Sequence, residues 1–421
     1  GAEAVLRFDL GIYRQIAPEA VAERVKEADV VIFVGGISPN LEGEEKNFVN
    51  CPGFVGGDRT SIELPEVQRN ILKALKKAGK KVIFVNCSGS AMALVPETQS
   101  CDAILQAWYP GQAGGTAVAD IIFGDYNPSG KLPVTFYKNT EQLPDFEDYS
   151  MKGRTYRYMT ESPLFPFGYG LSYTTFAYSN FSVDKDGVTF TIKNTGDVEG
   201  TEIAQLYVGK QSETIFRPVR ELKGFARVTL APGEEKTVHI AFDDMTFRFY
   251  DTRTDTWEVE SGNYQIMVGT DADTMVLVGS LDVAGTVAEG GYSKEILPEY
   301  FSGKIENVDD IEYRELYGRE IPDGSWSGEI QMNDAVCQLY YGKGIFGKLF
   351  YGVLKLLLKI SEWQGKPNLN VLFNYNMPIR GYAKMTGGFV TMEMARALTE
   401  MANGHRIKGT AHLIKAAVKR D

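Results

Sequence analysis

Residues Gly35–Pro65 read GGISPNLEGEEKNFVNCPGFVGGDRTSIELP and organise the first part of the chain. They follow the apolar run Val30–Val34, which predicts a buried strand, and they precede Glu66–Leu75, which predicts a helix. Connections in α/β units usually run about 2–6 residues, so this one is unusually long. Long loops at the carboxyl ends of parallel strands often carry the chemistry of such folds. The stretch therefore predicts an α/β domain with a functional loop at one edge of its sheet.

Carboxylates are clustered in this loop, at Glu42, Glu44 and Glu45, and Asp58-Arg59 follow them. Neighbouring carboxylates can raise one another's pKa, which is what a general acid needs in order to stay protonated near neutral pH. The same cluster also fits a solvated acidic surface loop. From the residues alone, both interpretations stay open.

The composition of the chain limits its partners and cofactors. The 421 residues carry a formal charge of −11, and the sequence pI is about 5.1. This acidic balance argues against nucleic acid, because phosphate binding needs a basic face. The 4 cysteines and 3 histidines are scattered without metal-ligand spacing, so we expect no zinc site. No apolar run has transmembrane length, and the length indicates about two to four domains.

Residues from about 17 to 125 alternate helix and strand patterns. Strands that alternate with helices indicate a parallel sheet covered on both faces. Cys87-Ser88-Gly89-Ser90 could suggest a nucleophilic serine, but this domain contains no histidine to act as its base, so we assign Ser88 a structural role. The expected elements are helices at Pro18–Ala28, Pro65–Gly79 and Ala117–Phe123 and strands at Lys81–Asn86 and Asp102–Trp108.

From about residue 181 to residue 283 the period of the hydrophobic pattern changes to two. Alternating runs separated by turn residues such as Asn194-Thr195-Gly196 are typical of a β-sandwich. His239 occupies an alternating strand position, so we assign it a structural role as well. The runs are Val188–Ile192, Ile203–Val208, Thr237–Phe242 and Tyr264–Val268.

The region from residue 286 to residue 421 has neither the alternating helix and strand pattern nor the period of two. A polar, acidic stretch leads into Ile345–Ile360, which is strongly apolar with lysines spaced along it, and Thr391–Met401 predicts a further helix. The apolar run is too short and too charged to span a bilayer. We expect its side chains to pack against protein, and binding at a membrane surface is the alternative. The side chains concerned are Phe346, Leu349, Leu354 and Leu358.

Several segments resemble glycoside hydrolase family 3. The E-x-E loop, the Gly-Asp-Arg segment and the L-P-x-x-Q segment before the helix are similar to the second domain of that family, where such a loop carries the acid/base glutamate. On this resemblance Glu44 takes the acid/base position, and Glu42 and Glu45 are the alternatives. Further segments occur in the family's order: CSGS (87–90), WYPGQAGG (108–115), PSGKLPVTF (128–136), GRTYRY (153–158) and FPFGYGLSYTTF (165–176).

The alternating region resembles the fibronectin type III-like domain of many family 3 enzymes, on the segments KNTGDVEG (193–200), ELKGF (221–225) and LAPGE (230–234). Residues 377–388, MPIRGYAKMTGG, resemble a C-terminal extension of some members from anaerobic gut bacteria. We therefore expect three parts: an α/β sandwich domain with a parallel sheet at 1–177, a fibronectin type III-like β-sandwich at 178–285, and a mainly helical extension at 286–421.

The resemblance implies a retaining, exo-acting β-glycosidase, in which a nucleophilic aspartate and the acid/base glutamate flank the scissile bond. In the family that aspartate lies on a (β/α)8 barrel, and no stretch of this sequence shows eight βα units. We therefore expect the C-terminal part of a longer enzyme, or one chain of a split enzyme, with the barrel as its partner. A homo-oligomer stays open, and no cofactor is implied.

The expected substrate is a terminal β-linked sugar, a β-glucoside first, with a β-xyloside or arabinoside close behind. A non-catalytic carbohydrate-binding or scaffold chain is the competing hypothesis. The lack of a recognisable barrel favours it, and the glutamate-rich loop opposes it, since a scaffold has no need for that loop. We expect a cytoplasmic protein, and a secreted or periplasmic one stays open because the chain begins at Gly1 without Met.

Overall fold

The computed structural model describes residues 17–38, 41–42, 51–55, 57–146, 151, 153–212, 215–287, 292–302, 307–321, 328–363 and 368–418. These residues form two compact units. One contains residues 17–38 and 61–321, and the other contains the described residues between 41 and 60 together with those between 328 and 418.

Short helices alternate with strands in the first part of the chain. Strands β1, β4 and β5 form a parallel sheet in the order β1-β4-β5, with Val30 opposite Lys81 and Ile83 opposite Ala103. This confirms the predicted parallel-sheet α/β part. Its elements are α1 (Pro18–Arg24), β1 (Val30–Gly36), α2 (Glu66–Lys77), β4 (Lys81–Cys87), α3 (Val95–Ser100), β5 (Ala103–Gln106), α4 (Gly114–Phe123) and α5 (Thr155–Tyr158). The short strands β2 (Phe54–Val55) and β3 (Asp58–Arg59) belong to the other compact unit.

Helix α2 forms where the apolar spacing predicts it. Its buried side chains are Ile71, Leu72 and Leu75. They are adjacent or about one turn apart, so they lie on one side of the helix, towards the sheet. Pro65 precedes the first turn, where its missing N–H leaves no hydrogen bond unmade. The chain leaves the helix through Gly79, whose φ of +75° is readily adopted only by glycine.

Strand β1 is not fully buried, so the prediction of a buried strand was wrong. Its alternate side chains Val30, Ile32 and Val34 are 45%, 45% and 65% exposed. Successive side chains of a strand point to opposite faces, so covering one face leaves the alternate residues uncovered. Within the described residues, the sheet is therefore not covered on both faces as predicted.

The alternating region folds into two antiparallel sheets, which confirms the predicted all-β part. They have the orders β10-β7-β6 and β14-β13-β8-β9, and a separate hairpin joins β11 to β12. Inward side chains such as Phe190, Leu206 and Ile266 are fully buried between the sheets. The strands are β6 (Phe176–Val183), β7 (Gly187–Asn194), β8 (Gly200–Gly209), β9 (Glu221–Leu230), β10 (Glu235–Ala241), β11 (Arg248–Asp251), β12 (Thr256–Val259), β13 (Gly262–Gly269) and β14 (Met275–Val283).

The GRTYRY and FPFGYG segments join the α/β part to the sandwich. Tyr156 stacks on Phe167 with ring centroids 4.5 Å apart and meets Tyr207 of β8 edge-on at 5.9 Å. The side-chain amide of Gln205 donates to the carbonyl oxygens of Gly168, at 3.0 Å, and Thr270, at 2.7 Å. These segments are therefore structural connectors between the two parts.

The rest of the described chain is mainly helical, as predicted. Two short helices follow the sandwich, and the others pack around a small core that contains Val336, Leu354, Ile379 and Ala395. The helices are α6 (Pro298–Ser302), α7 (Asp310–Tyr317), α8 (Ile345–Trp363), α9 (Leu369–Asn376), α10 (Gly381–Met385), α11 (Met392–Ala402) and α12 (Arg406–Val418).

Helix α8 meets the packing prediction only in part. Leu354 is buried and Leu358 is half-buried, whereas Phe346 and Leu349 are 55% and 59% exposed. The helix buries one side in the C-terminal core and leaves a second apolar side uncovered by the described residues. A search of those residues finds no helix with the length and hydropathy of a membrane span.

Candidate catalytic loop and the carboxyl edge of the sheet

The predicted site residues lie in the connection between β1 and α2. Glu42 is half-buried, and Glu44 and Glu45 lie outside the described residues. The convergence of the three carboxylates therefore stays a prediction, as does the choice of Glu44 over its neighbours.

Asp58 and Arg59 form strand β3 and pair with Phe54–Val55 in a short antiparallel ribbon. Gly57 allows the tight turn, since its φ of +89° is readily adopted only by glycine. The N–H of Thr60 donates to the carbonyl oxygen of Gly53 at 2.9 Å and closes the ribbon. The Gly-Asp-Arg segment thus has a defined structural place at the end of the long connection.

The end of β1 is held by the glutamine of the L-P-x-x-Q segment. The side-chain oxygen of Gln68 accepts from the N–H of Gly36 at 2.8 Å, and its amide nitrogen donates to the carbonyl oxygen of the same residue at 2.8 Å. Gly36 has a φ of +122°, and a Cβ there would collide with the carbonyl oxygen of Cys87. A glycine at position 36 and a glutamine at position 68 therefore fix where the long connection leaves the sheet.

A buried polar network joins the carboxyl ends of β4 and β5. The amide nitrogen of Asn86 donates to the side-chain oxygen of Gln106 at 2.6 Å and to the hydroxyl of Ser88 at 3.2 Å. The Ser88 hydroxyl donates in turn to the carbonyl oxygen of Ser90 at 3.0 Å. Ser88 is fully buried, so a substrate cannot reach it, and its predicted structural role is confirmed. The side-chain oxygen of Asn86 has no hydrogen-bond partner in the described part of the chain.

Trp108 follows β5 and has a strained backbone. Its φ of +57° is rare for a bulky side chain, and its ring meets buried Phe136 edge-on at 6.1 Å. Strain of this kind costs about 1–3 kcal/mol and persists where the surrounding structure enforces it, often at functional sites. The WYPGQAGG segment is therefore a constrained turn at the same edge of the sheet.

Two carboxylates hold the segments around α2. Glu97 of α3 is buried and pairs with Arg69 of α2, with the Nε of Arg69 2.8 Å from Oε1. Glu63 accepts hydrogen bonds from the Ser61 hydroxyl, from the backbone N–H of Thr140 at 2.9 Å and from the hydroxyl of Thr140 at 2.5 Å. Partial burial raises the pKa of the Glu63 carboxyl, but these hydrogen bonds outweigh it and lower the pKa to about 2. Glu63 therefore stays ionised and acts as an anchor.

The described carboxyl edge is thus a polar framework that holds the ends of a loop. It presents amide, hydroxyl and glycine backbone groups, and no group of three or more metal-ligating side chains occurs within the described residues. The sequence patterns indicated the loop, the glycines and Gln68 but missed the partners Asn86, Gln106, Glu63 and Thr140. Polar residues directly after apolar strands were the available signal for Asn86 and Gln106.

Two family models match the chain. Residues 10–173 match the Glycosyl hydrolase family 3 C-terminal domain, and residues 202–272 match the Fibronectin type III-like domain. A curated relative, the Xylan 1,4-beta-xylosidase of Xylanibacter ruminicola, is 53% identical over 273 residues, which are 63% of this chain and 31% of that protein. The Periplasmic beta-glucosidase of Salmonella typhimurium is 38% identical over 290 residues, which are 64% of this chain and 36% of that protein.

A solved structure of a family 3 enzyme is also similar to this chain. The family 3 β-glucosidase of Bifidobacterium adolescentis superposes with a TM-score of 0.57 at 33% identity, covering 64% of this chain and 41% of that one. The chain spans about a third of the length of the curated relatives that it matches. Over residues 10–173 and 202–272, the chain therefore belongs to the C-terminal part of glycoside hydrolase family 3.

Proposed function

We propose that this chain supplies the general acid/base loop of a retaining, exo-acting β-glycosidase that releases terminal β-linked sugars. The observation that carries the proposal is the sequence LEGEE at residues 41–45, in the long connection between β1 and α2 of a family 3 C-terminal domain. The fixed ends of that connection support it. Gly36 and Gln68 anchor its start, and the hydrogen bond from the Thr140 N–H to Glu63 anchors its end.

Glu44 is the proposed acid/base, and Glu42 and Glu45 are the alternatives. In the first step the acid protonates the leaving oxygen while a nucleophilic aspartate attacks the anomeric carbon. In the second step the resulting carboxylate activates water. The aspartate would come from a (β/α)8 barrel of the same protein or of a partner, about 5–5.5 Å from the glutamate in a retaining enzyme. The neighbouring carboxylates would raise the pKa of the acid.

A β-glucoside is the first substrate candidate, and a β-xyloside is the second. Identity favours the xyloside in one respect, because the relative named xylan 1,4-beta-xylosidase is 53% identical and the relative named periplasmic beta-glucosidase is 38% identical. That identity lies in the C-terminal domains, whereas the resemblance places the nucleophilic aspartate on the barrel. Aryl β-glucoside and aryl β-xyloside therefore both belong in the assay.

The decisive experiment joins this chain to a family 3 barrel, as encoded upstream or supplied as a partner, and compares Glu44→Gln with Glu42→Gln and Glu45→Gln. Loss of the acid should slow hydrolysis of poor leaving groups by roughly 10²–10⁴-fold. Glycosides of acidic phenols need no protonation in the first step, so they should be much less affected. Azide should restore their turnover, because an anionic nucleophile needs no general base.

The controls separate the possible failures. The 421-residue chain without a barrel should not turn over either glycoside. If only Glu42→Gln or Glu45→Gln gives the leaving-group and azide pattern, the acid/base is that residue. If all three variants keep full activity, the proposed role of the loop is wrong.

We also propose domain limits at 1–177, 178–285 and 286–421, and the end of the last sandwich strand at Val283 supports the second of these limits. A cytoplasmic location is supported by the four cysteines, which are all free thiols. Cell fractionation tests it, with the periplasm as the alternative because one relative is named periplasmic.

A further inference from the structure

A cleft with a volume of about 1370 Å³ opens beside the β11–β12 hairpin of the sandwich. Its walls come from the end of α5, the segment before β9, the hairpin itself and the helices α6 and α7 that follow the sandwich. Pockets for drug-sized ligands usually measure about 300–1,000 Å³. This cleft is therefore large enough for a ligand with several rings. It also uses residues beyond 272, where the fibronectin type III-like match ends.

Aromatic rings line two walls of the cleft, and Tyr250, Trp257 and Phe216 are exposed. Tyr250 and Trp257 are cross-strand partners of the hairpin, with ring centroids 5.4 Å apart, and are 46% and 54% exposed. Tyr158 and Phe216 stack at 5.3 Å on another wall. Exposed aromatic side chains that converge on one concave surface usually mark a binding site. Flat rings can stack against the apolar C–H face of a sugar ring.

The polar groups of the cleft are held in place by ion pairs. Arg157 pairs with Glu221 at 2.6 Å, and Arg253 pairs with Asp251 at 2.6 Å. The Arg157 side chain is 41% exposed, and a guanidinium carries five N–H donors, so a ligand hydroxyl can share it with Glu221. Because opposite charges are paired, the walls offer donors and acceptors without a strong field of one sign. This suits a neutral ligand with many hydroxyl groups better than a phosphate or a polyanion.

We propose that this cleft binds a neutral β-linked oligosaccharide, with sugar rings stacked on Trp257 and Tyr250 and hydroxyl groups bonded to the paired charged side chains. Such binding goes beyond the proposed function, because it needs no bond cleavage and none of the glutamates of the LEGEE segment. It would hold the polymer from which terminal sugars are released.

Calorimetric titration of the 421-residue chain with xylohexaose, cellohexaose and an oligogalacturonide tests the proposal. At least one neutral hexasaccharide should bind, and Trp257→Ala and Tyr250→Ala should each weaken that binding at least about tenfold, which equals about 1.4 kcal/mol. Phe123→Ala is the matched control, since Phe123 is a 76% exposed aromatic residue of α4 outside the cleft. It should leave the affinity unchanged.

Hydrogen exchange of the unmodified chain supplies a readout that does not depend on how the variants fold. The bound hexasaccharide should protect amides of β11 and β12 and leave those of α4 unchanged. The proposal is overturned by the absence of binding at millimolar concentrations, by binding that both alanine variants retain, or by a preference for the oligogalacturonide.

Discussion

The β-sandwich and the parallel sheet of this chain are stabilised in different ways. The sandwich buries the inward side chains of both of its sheets, and Val188, Phe190 and Ile192 of β7 are all fully buried. The parallel sheet leaves Val30 and Val34 of strand β1 45% and 65% exposed. Its carboxyl edge is instead held by directed polar contacts, from Gln68 to Gly36 and between Asn86, Ser88 and Gln106.

This difference shows which part can be stable by itself. A sandwich closes its own apolar core, so its stability comes mainly from burial. Strand β1 of the parallel sheet presents an apolar face that the described residues do not cover, and we expect other protein to cover it. The polar contacts fix the end of β1, where the proposed catalytic loop begins. The following predictions test the two modes of stabilisation, beginning with the largest effect.

Gly36→Ala should cause the largest loss of stability. The new Cβ would meet the carbonyl oxygen of Cys87 in a backbone conformation with φ of +122°. We expect a cost of about 3 kcal/mol or more, since strain and a direct clash add up. Gly124→Ala is the control, because its φ is +83° but nothing lies within 4 Å of the added Cβ. It should cost only about 1–2 kcal/mol.

Urea denaturation monitored by hydrogen exchange in β1 and β4 measures both glycine variants. Equal losses for Gly36→Ala and Gly124→Ala would show that the close approach to Cys87 contributes nothing beyond backbone strain.

The same substitution in the two parts compares the apolar faces directly. Val188→Thr places a hydroxyl in the fully buried sandwich core and should cost about 1–3 kcal/mol. Val34→Thr changes a 65% exposed residue of β1 and should stay within about 0.5 kcal/mol in this chain. Denaturation of the two variants measures the difference.

Repeating the Val34→Thr measurement with the barrel present sharpens the comparison, because the cost should rise if that face becomes covered. A large cost for Val34→Thr already in this chain would mean that the β1 face is covered without any further protein.

Sequence patterns predicted the regular elements well because each follows a simple period. The spacing of Ile71 and Leu75 predicted α2, and the alternation in Thr237–Phe242 predicted a strand that the structure places at Glu235–Ala241. The exposed face of β1 was not predictable, since Val30–Val34 are uniformly apolar and burial depends on what packs over the strand. Strand β9, at Glu221–Leu230, was not among the predicted runs.

The candidate site was predictable only at the level of the loop. Spacing and resemblance indicated the LEGEE segment, but the partners of Gly36 and Glu63 lie 32 and 77 residues away along the chain. Contacts at such separations arise from the tertiary fold, and local patterns do not contain them. The cleft on the sandwich was missed for the same reason, since Tyr158, Trp257 and the helices after residue 292 meet only in the folded chain.

The last prediction concerns the pH dependence of the Glu63 anchor. Its pKa in the folded chain, about 2, lies below the usual value of about 4.3 for an unfolded glutamate. The ionised carboxylate therefore stabilises the fold fully above about pH 5, and this contribution is lost as the pH falls from there towards 2. Glu63→Gln should cost about 1 kcal/mol at pH 7, less than a buried charged hydrogen bond contributes, because the carboxylate is partly exposed.

Denaturation of the native chain and the Glu63→Gln variant at several pH values between 7 and 3 tests this assignment. The difference in unfolding free energy should shrink as the pH falls, because protonation of Glu63 in the unfolded native chain removes its advantage. Thr140→Val removes one of the donors, so the same comparison in that background should give a smaller difference at pH 7. A difference that stays constant across the range would show that the hydrogen bonds from Ser61 and Thr140 do not favour the ionised carboxylate, and the polar anchoring of this edge would then have to come from Gln68 and the Asn86 network.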